Sequence, residues 1–150
     1  MSYDLRLERI FDAKPEIVFD ALLDPAAQRA LLADGPDWVV ESELDLRVGG
    51  TWIVEFGPSP SDLYREVAVF SEVDRPRRLV YDVTATSKDG QTLDTEMEIT
   101  FELENGKTRV TLLQTGYPTA SMRDSYKGGW SGIFDALTGV VAERTAGSNA

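Results

Sequence analysis

Ser-Met-Arg-Asp-Ser-Tyr-Lys-Gly-Gly-Trp-Ser-Gly-Ile-Phe-Asp-Ala-Leu-Thr-Gly-Val-Val-Ala-Glu-Arg, residues 121–144, is the longest helical pattern in the chain. Met122, Tyr126, Trp130, Ile133, Phe134, Leu137, Val140 and Val141 recur at three- and four-residue steps and so share one helix face. Ser121 with Asp124 reads as a capping box. Four glycines, Gly128, Gly129, Gly132 and Gly139, interrupt the segment. Each costs about 1 kcal/mol in a helix interior relative to alanine. Packing must therefore hold the helix, and its glycines either admit a close neighbour or leave space beside it. A buried amphipathic helix on a sheet is the plain expectation, and a helix that closes a ligand cavity is the sharper one.

What lies upstream supplies the sheet. Tyr3 to Phe11 alternates apolar and charged residues with the period of a strand. Asp12-Ala13-Lys14-Pro15 and Asp24-Pro25 each start a short helix with proline in the first turn, the second ending near Leu32. Strands are predicted at 38–46, 51–56, 63–73, 78–86, 93–103 and 108–114. The polar segment 57–62 reads as a loop too irregular for a tight hairpin, and Asp89-Gly90 as a hairpin turn. Along 93–103, Leu93, Thr95, Met97, Ile99, Phe101 and Leu103 oppose a row of acids, so one sheet face is wet. The predicted architecture is α+β, in the order β-α-α-β6-α. A curved antiparallel sheet of about seven strands wraps a long C-terminal helix, in one domain over 1–150 with a frayed tail at 145–150.

The composition removes whole classes of chemistry. The 150 residues contain no cysteine and no histidine, which excludes disulfides, thiol catalysis and any Ser-His-Asp arrangement. No metal site and no cofactor is expected. The formal charge of −11 argues against nucleic acid and anionic membranes as partners. No apolar run approaches the ~20 residues of a membrane span, and the first residues lack the apolar core of a signal peptide, so the expected location is the cytoplasm.

Five stretches together carry a resemblance. They are Asp12 to Leu22 with Asp24-Pro25, Val48-Gly49-Gly50-Thr51-Trp52, Glu72 to Tyr81, Lys107 to Leu112, and Gly129-Trp130 with Ile133, Phe134 and Leu137. In this order and spacing the chain resembles the activator of heat-shock-protein-90 ATPase homologue-like family, within the START-like (SRPBCC, Bet v 1-like) superfamily. The resemblance implies a helix-grip fold with a hydrophobic interior cavity. Superfamily members bind lipids, sterols or polyketides, act as cyclases or aromatases, or sequester reactive compounds. The chain departs from the family at Arg29-Ala30-Leu31-Leu32-Ala33, where a tryptophan is common, and at Ala68, where many members have glycine.

The apolar faces name the cavity wall. Trp52, Val54 and Phe56 share one strand face, with Tyr81 beside them, Met97 and Ile99 on the alternating strand, and Tyr126, Trp130 and Phe134 on the helix. Tyr64, Gln114, Arg65 and Glu66 are the polar candidates, and Tyr64 is counted with the wall. Glu66 would serve as a base if buried, although its residue type favours the surface. Asp62 and Asp94 are weaker candidates. Three functions follow: binding or sequestering a small hydrophobic molecule; cyclase- or hydrolase-like catalysis on a polyketide-like or other hydrophobic substrate; and action as a co-chaperone of heat-shock protein 90. The first is preferred, with homodimer formation left open. Catalysis requires a titratable side chain in the cavity beside a second polar group.

Overall fold

The first strand, β1 (Tyr3–Phe11), pairs with the last, β7 (Lys107–Tyr117), and so brings the two ends of the chain together. Between them run β2 (Val39–Leu44), β3 (Thr51–Ser59), β4 (Asp62–Asp74), β5 (Arg78–Thr86) and β6 (Thr92–Glu104). The seven strands form one antiparallel, curved sheet in the order β1-β7-β6-β5-β4-β3-β2. Helices α1 (Pro15–Leu23) and α2 (Gln28–Leu32) fill the β1–β2 connection with a 3-10 turn at Pro25–Ala27, and α3 (Ala120–Ser148) closes the chain. The structure, a computed structural model, describes residues 2–148. Among the described residues no helix is long and apolar enough to cross a membrane. A seven-stranded curved sheet with a long C-terminal helix is the architecture expected from the strand spacing, and it is the helix-grip fold that the resemblance implies.

Alternation along the strands decides which side chains face inward. Matched rows cross the concave face: Trp52–Ala68–Val83–Thr95, Phe70–Tyr81–Met97–Gln114–Leu5, and Leu79–Ile99–Leu112–Leu7. All but the half-buried Leu7 are buried. On the convex face the acids face water, and some find cations, as Glu98 does with Arg78 at 2.8 Å and Glu104 with Arg109 at 2.7 Å.

Several local expectations are corrected. Residues 57–62 are a hairpin: β3 continues to Ser59 and β4 starts at Asp62, with Ser59 opposite Asp62. Gly57 makes this feasible, because a Cβ there would collide with the Asp62 carbonyl. Helix α3 is capped by Thr119, whose Oγ1 accepts from the Met122 N–H at 3.1 Å, so Ser121 is not the cap. At its other end the helix is continuous to Ser148, with Thr145 Oγ1 donating to the Val141 carbonyl at 2.8 Å. Residues 149–150 of the expected tail lie outside the described residues. Gly128, Gly129, Gly132 and Gly139 admit no close neighbour; a Cβ at any of them would meet open space.

The helix does not lie over the centre of the sheet. Phe134 packs edge-on against Phe11 of β1, with ring centroids 5.7 Å apart. Arg9 of β1 reaches Asp135 at 2.7 Å, Tyr126 packs on Tyr117 of β7 at 5.3 Å, and Arg144 holds Asp24 at 2.6 Å. These contacts fasten α3 along the β1–β7 side and against the short helices, and β3, β4 and β5 curl up opposite it. Phe134→Ala should cost about 3–5 kcal/mol in urea unfolding, the usual range for a buried phenylalanine. A change under about 1 kcal/mol would show that this contact does not anchor the helix.

Candidate functional site

The space between α3 and the β3–β5 wall is a cavity of about 770 Å³. That is within the range of about 300–1,000 Å³ typical of small-molecule sites. Its floor is buried: Trp52, Val54, Ala68, Tyr81, Val83, Met97 and Gln114 from the sheet, with Leu22, Gln28 and Leu31 from the short helices. Ala30, Asp34, Tyr64, Ser125, Gly128, Gly129 and Gly132 line the cavity and are also exposed, so they mark its mouth. The three glycines present no side chain to the space, which keeps that stretch of wall bare backbone. Arg29 braces the other rim, donating to the carbonyls of Trp38 at 2.6 Å and Pro36 at 2.7 Å. A second depression of similar size lies away from this cavity, between the start of α1 and the β4–β5 and β6–β7 turns.

Of the residues expected in the wall, Trp52, Val54, Phe56, Tyr64, Tyr81, Met97, Tyr126 and Trp130 line the cavity together. Ile99 and Phe134 do not; both are fully buried in the packed core, where Ile99 faces Leu79 and Leu112 across the sheet and Phe134 meets Phe11. Arg65, two-residue neighbour of inward positions in neither direction, points to the outer face and pairs with Glu55 at 3.3 Å. Asp62 and Asp94 are outside the wall as well, engaged by Lys88 at 3.7 Å and Thr84 at 2.6 Å.

Glu66 is the residue the sequence reading placed at the surface and the structure places in the cavity wall. It faces Val54 on β3 and Ala85 on β5, and is opposed by no cation. Burial alone pushes its carboxyl up to about 7. Around it the phenols of Tyr81, Tyr117 and Tyr126 are also pushed up, first by burial and then by neighbouring groups that include Glu66 in each case. A signal was present in the strand itself: Phe70, Ala68, Glu66 and Tyr64 are two apart and share a face. The competing apolar pair Val67 and Val69 on the other face obscured it.

The remaining polar groups divide into satisfied and unsatisfied. The Gln114 amide donates to Thr95 Oγ1 at 2.8 Å and accepts from Trp130 Nε1 at 3.2 Å, tying the sheet to the helix. Trp52 Nε1 and the Tyr117 hydroxyl are buried without a hydrogen-bond partner among the described residues. The cavity is thus an aromatic and aliphatic hollow with Glu66 unpaired in its wall and Asp34 at its exposed mouth. It can hold an apolar body and meet polar atoms at Glu66 and at the tyrosine hydroxyls of the wall.

The family model for activator of Hsp90 ATPase homolog 1-like proteins matches residues 12–142. Among solved structures, a protein from Chromobacterium violaceum is 27% identical with a TM-score of 0.77, over 92% of this chain and 96% of its own. An AHSA1-like protein from Aeromonas hydrophila is 25% identical with a TM-score of 0.74, over 95% and 94%. A protein from Rhizobium leguminosarum, 22% identical, shares the fold with a TM-score of 0.79, over 95% and 96%. No curated protein matches the chain.

The Glu66 carboxyl makes stability depend on pH in a defined direction. Its folded value lies above the ordinary 4.5, so the folded state holds this proton more tightly than the unfolded chain does. The contribution is full below about 4.5 and is lost as pH rises through about 7. Glu66→Gln should therefore gain stability relative to the parent between pH 5 and pH 8, measured as the difference in urea midpoints. Parallel pH profiles for the two proteins would show that Glu66 is solvated.

Proposed function

Because the chain belongs to the family of activator of Hsp90 ATPase homolog 1-like proteins, whose match spans 12–142, we propose that it binds or sequesters a small hydrophobic molecule in the cavity between α3 and the β3–β5 wall. One observation carries this reading: the hollow is lined by apolar and aromatic side chains and has an open mouth in a chain whose core is otherwise filled. Solvent-filled apolar surface is costly at about 25 cal/mol per Å², and a hydrophobic occupant recovers that cost. Trp52, Val54, Phe56, Tyr64, Tyr81, Met97, Tyr126 and Trp130 are the proposed contacts.

All three tryptophans, Trp38, Trp52 and Trp130, line the cavity, so intrinsic fluorescence reports directly on what occupies it. Titration with the neutral dye Nile red should transfer energy from tryptophan and saturate. Gly129→Leu fills space at the mouth where a side chain meets no obstruction, so the variant should fold and bind the dye about tenfold more weakly. Undiminished binding by a folded Gly129→Leu protein would remove the cavity from the reading.

A second reading is favoured by Glu66 and Tyr81 lining the same space. A carboxyl near 7 sits where a general acid or base operates at neutral pH, and the phenol is the second polar group that catalysis on a bound substrate requires. Hydrolysis of p-nitrophenyl hexanoate should then show a limb near pH 7 that disappears in Glu66→Gln. A rate no higher than buffer leaves binding as the function.

A further inference from the structure

We infer that the occupant of this cavity is a lipophilic amine, carried as its ammonium ion, with Glu66 as the counter-charge. The inference rests on the binding function proposed above and adds the chemistry of the ligand's polar end. Three features of the wall point to it.

The first is the sign of the charge. Glu66 and Asp34 are the ionisable acids in the wall, and no lysine or arginine lines it among the described residues. Arg29, next in sequence to the wall residue Ala30, has its guanidinium committed to the carbonyls of Pro36 and Trp38. A ligand carboxylate, sulfate or phosphate would enter a space holding two acids and no cation, in a chain with a formal charge of −11. An ammonium ion meets the opposite field.

The second is the state of Glu66. Glu66 is half-buried in an apolar wall and has neither a cation nor a hydrogen-bond donor among the described residues, so its carboxyl is open to a partner that enters the cavity. A cation in the cavity supplies the partner and holds the carboxyl ionised, reversing the effect of desolvation.

The third is the surround. Trp52 and Phe56 flank Val54, the residue opposite Glu66 on β3, and Tyr64 lies two residues along from Glu66 on its own strand. Phe56 and Tyr64 stack with ring centroids 5.9 Å apart, and Trp52 meets Tyr81 edge-on at 5.9 Å. A carboxylate set among aromatic rings is a suitable receptor for an ammonium group, because ring faces attract cations as the carboxylate does. The aliphatic floor beyond, with Leu22, Val83 and Met97, takes the hydrocarbon part.

Three amphiphiles of one chain length separate the alternatives: decyltrimethylammonium, decanol and decanoate. Each is titrated below its aggregation concentration at 0.15 M salt against tryptophan fluorescence, so that long-range attraction from the acidic surface is screened. The ammonium should bind about tenfold or more tightly than decanol, as a desolvated cation–aromatic contact with an ion pair predicts, with decanoate weakest. In Glu66→Gln the ratio of ammonium to decanol affinity should fall about tenfold, toward one. Decanoate binding as tightly as the ammonium would overturn the inference and leave hydrophobic binding standing. An ammonium preference that persists in Glu66→Gln would assign it to surface charge and overturn the inference too. If none of the three binds, the binding function falls with it.

Discussion

The contact of Phe134 with Phe11 governs the rest of the molecule. It fastens α3 to the first strand, at the edge of the sheet instead of its middle, and Phe19 against Phe101 at 5.1 Å fills the neighbouring core. A sheet whose strands twist also curls. With the helix held at the β1–β7 side, the curl of β3, β4 and β5 stands away from it. Beyond Phe134 toward the helix start, Gly128, Gly129 and Gly132 add no side chain beside Tyr126 and Trp130, so open space remains along that half of the helix. The core is therefore dense at one end and hollow at the other, from a single placement of one helix.

The hollow places its polar groups unequally. Along β4 the inward positions run Phe70, Ala68, Glu66, Tyr64, from fully buried to exposed, so the carboxyl sits part-way up the wall. Deeper, it would be opposed by the closely packed Tyr81, Phe70 and Met97; higher, it would be solvated by water at the mouth. At its actual depth burial raises its pKa to about 7, the range in which a nearby charge decides whether it ionises. Position along one strand thus sets the chemistry of the residue.

Much of this architecture was legible in the sequence because it depends on period. The strand at 92–104 and the stripe from Tyr126 to Val141 were set by spacing alone, and eight of the ten expected wall residues line the cavity. Spacing could not tell a wall residue from a core residue on the same face, which is why Ile99 and Phe134 lie in the packed core. Depth along a strand is a tertiary property, fixed by where the helix docks. Glu66 was left at the surface on residue type alone, since β4 has small or apolar residues on both faces and alternation did not mark the inner one. Thr119 caps the helix because the chain bends at residues 118–119 between β7 and α3, a placement that composition does not encode.

The one fully satisfied polar bridge in the cavity sharpens the role left to the others. Gln114 could in principle orient a ligand, but both ends of its amide are already engaged, by Thr95 on β6 and by Trp130 on α3. Those bonds fix the indole ring and join sheet to helix just where the packing thins. Taking Gln114 for a ligand would release Trp130 and leave Thr95 and the indole N–H unpaired in a dry setting, at a cost of about 1–3 kcal/mol for each stranded group. Glu66 carries no such penalty, because it has no protein partner to give up. Recognition of the polar end of any occupant therefore falls to the side chains the fold leaves unpaired, and the paired ones hold the wall in shape around them.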